Sequence, residues 1–247
     1  MNLHKFKYIF LILLTFTSLF GAENTPLINL SVAAVEDPAQ FVKTINIAII
    51  LMLFVLAPTL LLMVTSFTRL IIVFGLLRQA LGLQQSPPNQ VIISLSLILT
   101  FFIMQPYANK AWDTGIKPYM EKTIPYDEAL TKSIAPFKNF MIKNTRESDL
   151  ALFYRIKKQP NPKNIADVDI VILMPAFIIS ELRTAFEIGF LIFLPFLVID
   201  IIVASILMSL GMMMLPPVMI SLPIKLVFFI VIDGWFVIIG NLAQSFK

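Results

Sequence analysis

The chain has 247 residues, 58% of them hydrophobic and only 14% charged, against about 25% charged in a typical soluble domain. That balance describes a membrane protein built as one unit. With no cysteine and a single histidine, His4, the sequence excludes disulfides, thiolate metal sites, Ser-His-Asp relays and His-ligated zinc, and a net charge of +4 is too small to point to nucleic acid.

No phosphate-binding loop or dinucleotide fingerprint is present. Any work the protein does must draw its energy from a partner or an ion gradient. No cofactor is expected.

Residues 1–22 read as a secretory signal peptide. His4, Lys5 and Lys7 form a positive n-region, and Tyr8–Phe20 is apolar but short of the roughly 20 residues of a spanning helix. Ala22 suits the end of a cleavage site, whereas Phe20 stands where a small residue is usual. The mature chain then starts with an extracytoplasmic segment, 23–42.

The first hydrophobic helical hairpin is expected over 43–107. Its first helix lies in the charge-free run 44–68, about Ile45–Val64, with Pro58 as a kink point. Its second helix covers about Val91–Tyr107. Between them lie Arg69, Arg78 and the turn Ser86-Pro87-Pro88-Asn89. The positive-inside rule places this arginine-bearing tip in the cytoplasm.

Residues 108–169 differ in kind. More than half of the chain's 19 Lys and Arg fall here, with most of its acidic residues. We expect a small, mainly helical insert outside the cytoplasm, with many short loops at Pro118, Pro125, Pro136, Pro160 and Pro162. Its basic residues do not oppose that placement, because long loops translocate largely regardless of charge.

The second hydrophobic hairpin, 170–247, is interrupted. Ile170–Ser180 is too short to span. Helices are expected near 188–208 and 218–240, bent by Pro195 and Pro223 and joined through Gly211-Met212-Met213-Met214-Leu215-Pro216-Pro217. Each charge at mid-bilayer costs about 2.5–3.5 kcal/mol on the mildest scale. The charges here therefore call for a buried protein environment or a water-filled path.

Three groups of residues could carry chemistry. Asp200 and Asp233 lie in different apolar helices, as an intramembrane aspartyl enzyme or an ion-coupled transporter would require. The context Val231-Ile232-Asp233-Gly234, however, is not the Gly-x-Gly-Asp of such proteases. The simpler reading pairs each aspartate with a cation or places it at a helix end. Lys225, two turns before Asp233, is the nearest basic residue. Glu181, Arg183 and Glu187 form the second group, with Arg183 and Glu187 at i,i+4 on one helix face. Their functional reading is a network between helices or subunits. The third group is methionine, five of twelve lying within 208–219. Met is deformable and fills irregular gaps, so Met212, Met213 and Met214 read either as core filler or as an apolar plug around a pore.

Two longer patterns resemble a known family. Residues Pro175–Phe190, and Pro195–Asp200 followed by the Gly211–Pro217 stretch, resemble the FliP/SctR family, the P component of the flagellar export gate and its injectisome counterparts. Ser66–Arg69, Gly75–Arg78 and Pro87–Gln90 resemble the family's first hairpin. The resemblance covers about Ile45–Asn241. It implies a non-enzymatic subunit of the type III export gate, required for flagellum assembly. Such subunits form a pentamer with the small Q and R proteins in the cell membrane, at the flagellar basal body. Unfolded flagellar subunits pass through the channel. The family's methionine-rich loop narrows the pore, and by residue type and place it corresponds to Met212, Met213 and Met214. Glu181, Arg183, Glu187, Asp200, Lys225 and Asp233 are then expected in the charge network of the assembly. The fold expected is an all-α membrane protein of two kinked hydrophobic hairpins and a helical insert, a ring or helical channel subunit.

Overall fold

The computed structural model describes residues 38–162, 164, 167–212 and 215–246. The signal segment, most of the segment that follows it, and Met213 and Met214 lie outside those residues. The chain divides into two compact units, 1–53 and 54–247. The described part of the first is the opening stretch of helix α1, Pro38–Met63. This helix carries Pro58 in its interior without ending there.

Every regular element described in the second unit is helical. After α1 come α2 (Phe67–Ala80) and α3 (Asn89–Ala111). A π-helical turn at Trp112–Ile116 and a single turn, α4 (Lys117–Met120), lead into the polar region. There α5 (Tyr126–Asn144) and α6 (Glu147–Ile156) follow. The chain closes with α7 (Ile170–Ser209), α8 (Pro217–Val231) and α9 (Gly234–Gln244). By length and composition, three described stretches could cross a membrane: 42–59, 89–120 and 170–209. The pair α8 and α9, bent by 64° at its break, could make a fourth. This is the all-α hairpin architecture that the hydropathy pattern calls for.

Four local features depart from the sequence reading. The expected hairpin tip contains a helix of its own, α2, which buries Leu70, Val73, Phe74, Leu77 and Ala80. Those positions recur at i, i+3, i+4, i+7, the period of one helix face. Its neighbours in the core are Ile92, Ala185, Phe196, Phe229 and Leu242.

The second departure is α7, which runs unbroken for 40 residues through both Pro175 and Pro195. The charges at 181–187 do not interrupt it, because each finds a partner within the fold, as described below. Asp169 caps its start by accepting the Val171 N–H at 2.9 Å. That bond, then Lys157 at 3.2 Å, holds the Asp169 carboxyl below the usual carboxylate range.

Third, the last apolar segment breaks at Asp233, not at Pro223, which α8 carries inside it. Asp233 takes a left-handed conformation, φ 50°, which Asp tolerates better than most residues. Finally, the insert has fewer loops than its prolines suggest, since Pro136 lies within α5.

Two clusters hold the unit together. The first joins α2 to α3, α7, α8 and α9. The second packs Met104, Phe140, Met141, Leu173 and Phe177, tying the insert to α7. Helices in lipid gain little from hydrophobic transfer, so close packing through small residues matters more. Gly189 of α7 is such a contact. A Cβ there would run into Leu76 of α2, with the Leu76 Cβ and Cγ at 3.2 Å and Cδ1 closer still. Gly189→Ala is therefore expected to lower the thermal midpoint in detergent, at about 1–3 kcal/mol of overpacking. Gly189→Ala with Leu76→Ala should recover part of it. An unchanged midpoint for the single variant would contradict this contact.

Candidate functional site

Three charged nodes and one loop hold most of the residues that the sequence singled out; Arg78 and Asp233 stand apart from them. The first node joins α2 and α7. Arg69 and Glu181 are both buried, at 3% and 0% exposure, and form a forked pair. Arg69 Nε donates to Glu181 Oε2 at 2.8 Å and Nη2 to Oε1 at 2.5 Å. Bidentate arginine–carboxylate pairs of this kind are strong and geometrically specific. Arg69 Nη1 also donates to the Ser245 carbonyl and Oγ, at 3.0 and 2.8 Å. The guanidinium lies 3.9 Å over the Phe246 ring, which stacks on Phe140. One arginine thus ties the end of the chain to α7 and to the insert. Arg69, expected at the arginine-bearing tip between the two helices, is a buried residue of α2. Arg78 does lie beside the turn, donating to the Pro87 carbonyl and to Asn89 Oδ1.

The second node fastens α6 to α7. Buried Asp149 accepts from Ser180 Oγ at 2.8 Å and meets Arg183 at 3.4 Å. Ser180 Oγ in turn accepts the Arg146 N–H. Arg146 Nη2 reaches Glu187 at 2.5 Å, and that hydrogen bond raises the arginine's affinity for its proton further. The expected Arg183–Glu187 pair along one helix face is therefore replaced by two pairs with the insert. A facing helix brings opposite charge in a better orientation than the weak Arg-before-Glu order within one helix. Asp149, Arg146 and Ser180 were not legible as partners, since 31–41 residues separate the bonded groups.

The third node clamps α7 to α8 and α2. Lys225 Nζ, 4% exposed, donates to Asp200 Oδ2 at 2.6 Å and to the Ala80 carbonyl at 3.1 Å. Asp200 Oδ1 accepts from Ser221 Oγ at 2.6 Å. The ammonium thus neutralises a carboxylate and also satisfies a carbonyl at the C-terminal end of α2. Lys225 pairs with Asp200 rather than with Asp233, whose left-handed backbone places it at the helix break. Asp200 is occupied by a cation and a hydroxyl, the arrangement of a structural ion pair. Nor do the described residues contain any group of three or more His, Cys, Asp or Glu that could hold a metal.

The methionine loop lies between the two helices that this clamp joins. α7 ends in a Schellman motif: Gly211 N–H bonds to Met208 O at 3.1 Å and Met212 N–H to Leu207 O at 3.0 Å. Gly211 supplies the positive φ of 75° that this stop requires. Pro217 then opens α8 at its first position, where a missing N–H costs nothing. Met212 is exposed, as are Leu210, Leu215, Val218 and Met219. Met213 and Met214 lie outside the described residues.

Residues 50–242 match the FliP family. The chain belongs to the FliP family. It is similar to the flagellar biosynthetic protein FliP of Bacillus subtilis strain 168, 49% identical over 211 residues, covering 85% of this chain and 96% of that protein. The flagellar biosynthetic protein FliP of Caulobacter vibrioides is 52% identical over 192 residues, 78% of this chain and 72% of that protein. The FliP of Rhizobium meliloti strain 1021 is 42% identical over 245 residues, 98% of this chain and 99% of that protein. As a FliP-family membrane protein the chain is a component of the flagellar export gate and not an enzyme. Among the described residues nothing favours the aspartyl-enzyme or transporter alternative, since Asp200 is held by Lys225 and Ser221 and Asp233 lies at a helix break.

Proposed function

We propose that this protein is a channel subunit of the flagellar type III export gate, assembling as a pentamer with the small Q and R membrane proteins. Unfolded flagellar subunits pass through the channel on their way to the growing flagellum. The observation that carries the reading is the FliP-family match over residues 50–242. The assembly sits in the inner membrane, its N-terminal signal peptide removed, with 108–169 on the periplasmic side and the Arg78 turn on the cytoplasmic side.

Met212, Met213 and Met214 form the pore constriction. An export channel must pass an unfolded chain yet hold back small solutes at rest. Polar residues would hydrate such a gap, and rigid β-branched ones would seal it poorly. Methionine stays apolar while adopting many shapes. The exposed apolar residues flanking the break support this placement. The charged nodes at Glu181, Arg183, Glu187, Asp200 and Lys225, with Asp233 at the last helix break, set the relative positions of the helices that carry the loop. They act in assembly by fixing the surfaces that subunits present to one another.

The mass of the complex extracted in mild detergent tests the reading. A multimer of this chain carrying other small membrane proteins is the expected result. A lone chain with no such companions, extracted from cells that assemble flagella, would overturn it.

A further inference from the structure

Helices α2, α3, α8 and α9 enclose a cleft of about 460 Å³, within the roughly 300–1,000 Å³ of small-ligand clefts. Its walls include Leu77, Leu95, Phe229, Ile230 and Trp235, and Arg78 is the single charged residue that lines it. The Arg78 hydrogen bonds go to neutral acceptors, the Pro87 carbonyl at 3.2 Å and Asn89 Oδ1 at 2.7 Å. Among the described residues no carboxylate pairs with it. Asn89 is also the first residue of the apolar stretch 89–120 that is long enough to cross a membrane. A span that began at Asn89 would bring the guanidinium to the level of lipid headgroups.

An apolar cleft with one cation that no described carboxylate neutralises has the complementarity of an anionic lipid. The acyl chain takes the apolar walls and the headgroup stays at the wet rim, where basic pockets between spanning helices recognise anionic lipids. A neighbouring helix that brought no carboxylate would instead bury the Arg78 charge unpaired, which is strongly unfavourable. We propose that this cleft binds an acyl chain of an anionic phospholipid, with the headgroup on Arg78. The proposal needs only the membrane placement of the chain and stands apart from the channel reading.

Trp235 provides the test. The chain has two tryptophans, so Trp112→Phe leaves Trp235 as the sole fluorophore. The full chain, purified in detergent, is titrated with phosphatidylglycerol or phosphatidylcholine carrying the same brominated acyl chains. Half-maximal quenching is expected at about fivefold lower phosphatidylglycerol, the worth of one arginine at a charged interface. Arg78→Gln should erase that preference and Arg78→Lys should keep it. Leu95→Phe, which narrows the cleft, should weaken quenching by both lipids. Equal quenching by the two headgroups in the Arg78 protein would overturn the proposal. So would an assembled gate in which neither lipid quenches Trp235 although both quench the lone chain, since the cleft would then belong to a protein neighbour.

Discussion

Glu181→Gln is expected to remove most of the folded, detergent-extractable protein. The substitution is nearly isosteric, so packing changes little and the effect is electrostatic. Arg69 stays charged, because guanidinium does not release its proton in proteins. It is 3% exposed, and every acceptor left to it is neutral: one amide oxygen of the glutamine, the Ser245 carbonyl and Oγ, and Asn144 Oδ1 at 3.4 Å. Removing one partner of a buried pair costs about 3–5 kcal/mol, a large share of the ~5–15 kcal/mol that holds a typical domain folded. Arg69→Met should do comparable damage from the other side, since Glu181 has no exposure at all. Arg69→Met with Glu181→Met strands no charge, and should recover much of what either single change loses. Thermal midpoints and the monodisperse fraction in detergent measure all three. Single variants as stable as the parent would show that the pair does not hold α2 against α7.

Asp200→Ala and Lys225→Met are expected to differ, although they break the same bond. Asp200 is about a third exposed, at 32%, and Lys225 only 4%. Losing the aspartate leaves a buried ammonium with only the Ala80 carbonyl, so the cost lies near the ~3–5 kcal/mol of a stranded charge. Losing the lysine leaves a carboxylate that reaches water and keeps its bond from Ser221. That change costs nearer the ~1–3 kcal/mol of an unmade hydrogen bond. The order of thermal midpoints should be parent, then Lys225→Met, then Asp200→Ala. Because the pair joins the two helices flanking the methionine loop, motility should fail in the same order. A reversed order would mean that Asp200, not Lys225, is the buried member of the pair.

The legible and illegible parts of the molecule divide on physical lines. Apolar runs long enough to span declare themselves, and the all-α hairpin class follows from them. Helix α2 was legible in principle. Leu70, Val73, Phe74 and Leu77 repeat with helical period, but Arg69 and Arg78 at its ends drew the segment into the tip of a hairpin. Hydropathy scores each charge as if it faced lipid or water, and so divided α7 at Glu181–Glu187. The structure runs the helix straight through, because Arg69, Asp149 and Arg146 come from distant segments to neutralise those charges. Arg69 and Glu181 are 112 positions apart, and no local pattern encodes such a partner. The Gly211 stop and the proline start bounding the methionine loop were visible as residue types, since a Schellman end needs positive φ and a first helical turn tolerates proline. The break at Asp233 was not, because a left-handed aspartate carries no distinctive sequence sign.

The central claim is that exported chains pass this subunit at its methionine loop. It is tested most directly by placing a photo-crosslinking residue at Met212 while an export substrate is stalled in transit by a folded domain fused behind it. The account predicts crosslinks between Met212 and the unfolded segment of the substrate, lost when the stalled chain is released. Crosslinks confined to lipid or to neighbouring gate subunits, with the substrate demonstrably stalled in the gate, would contradict it.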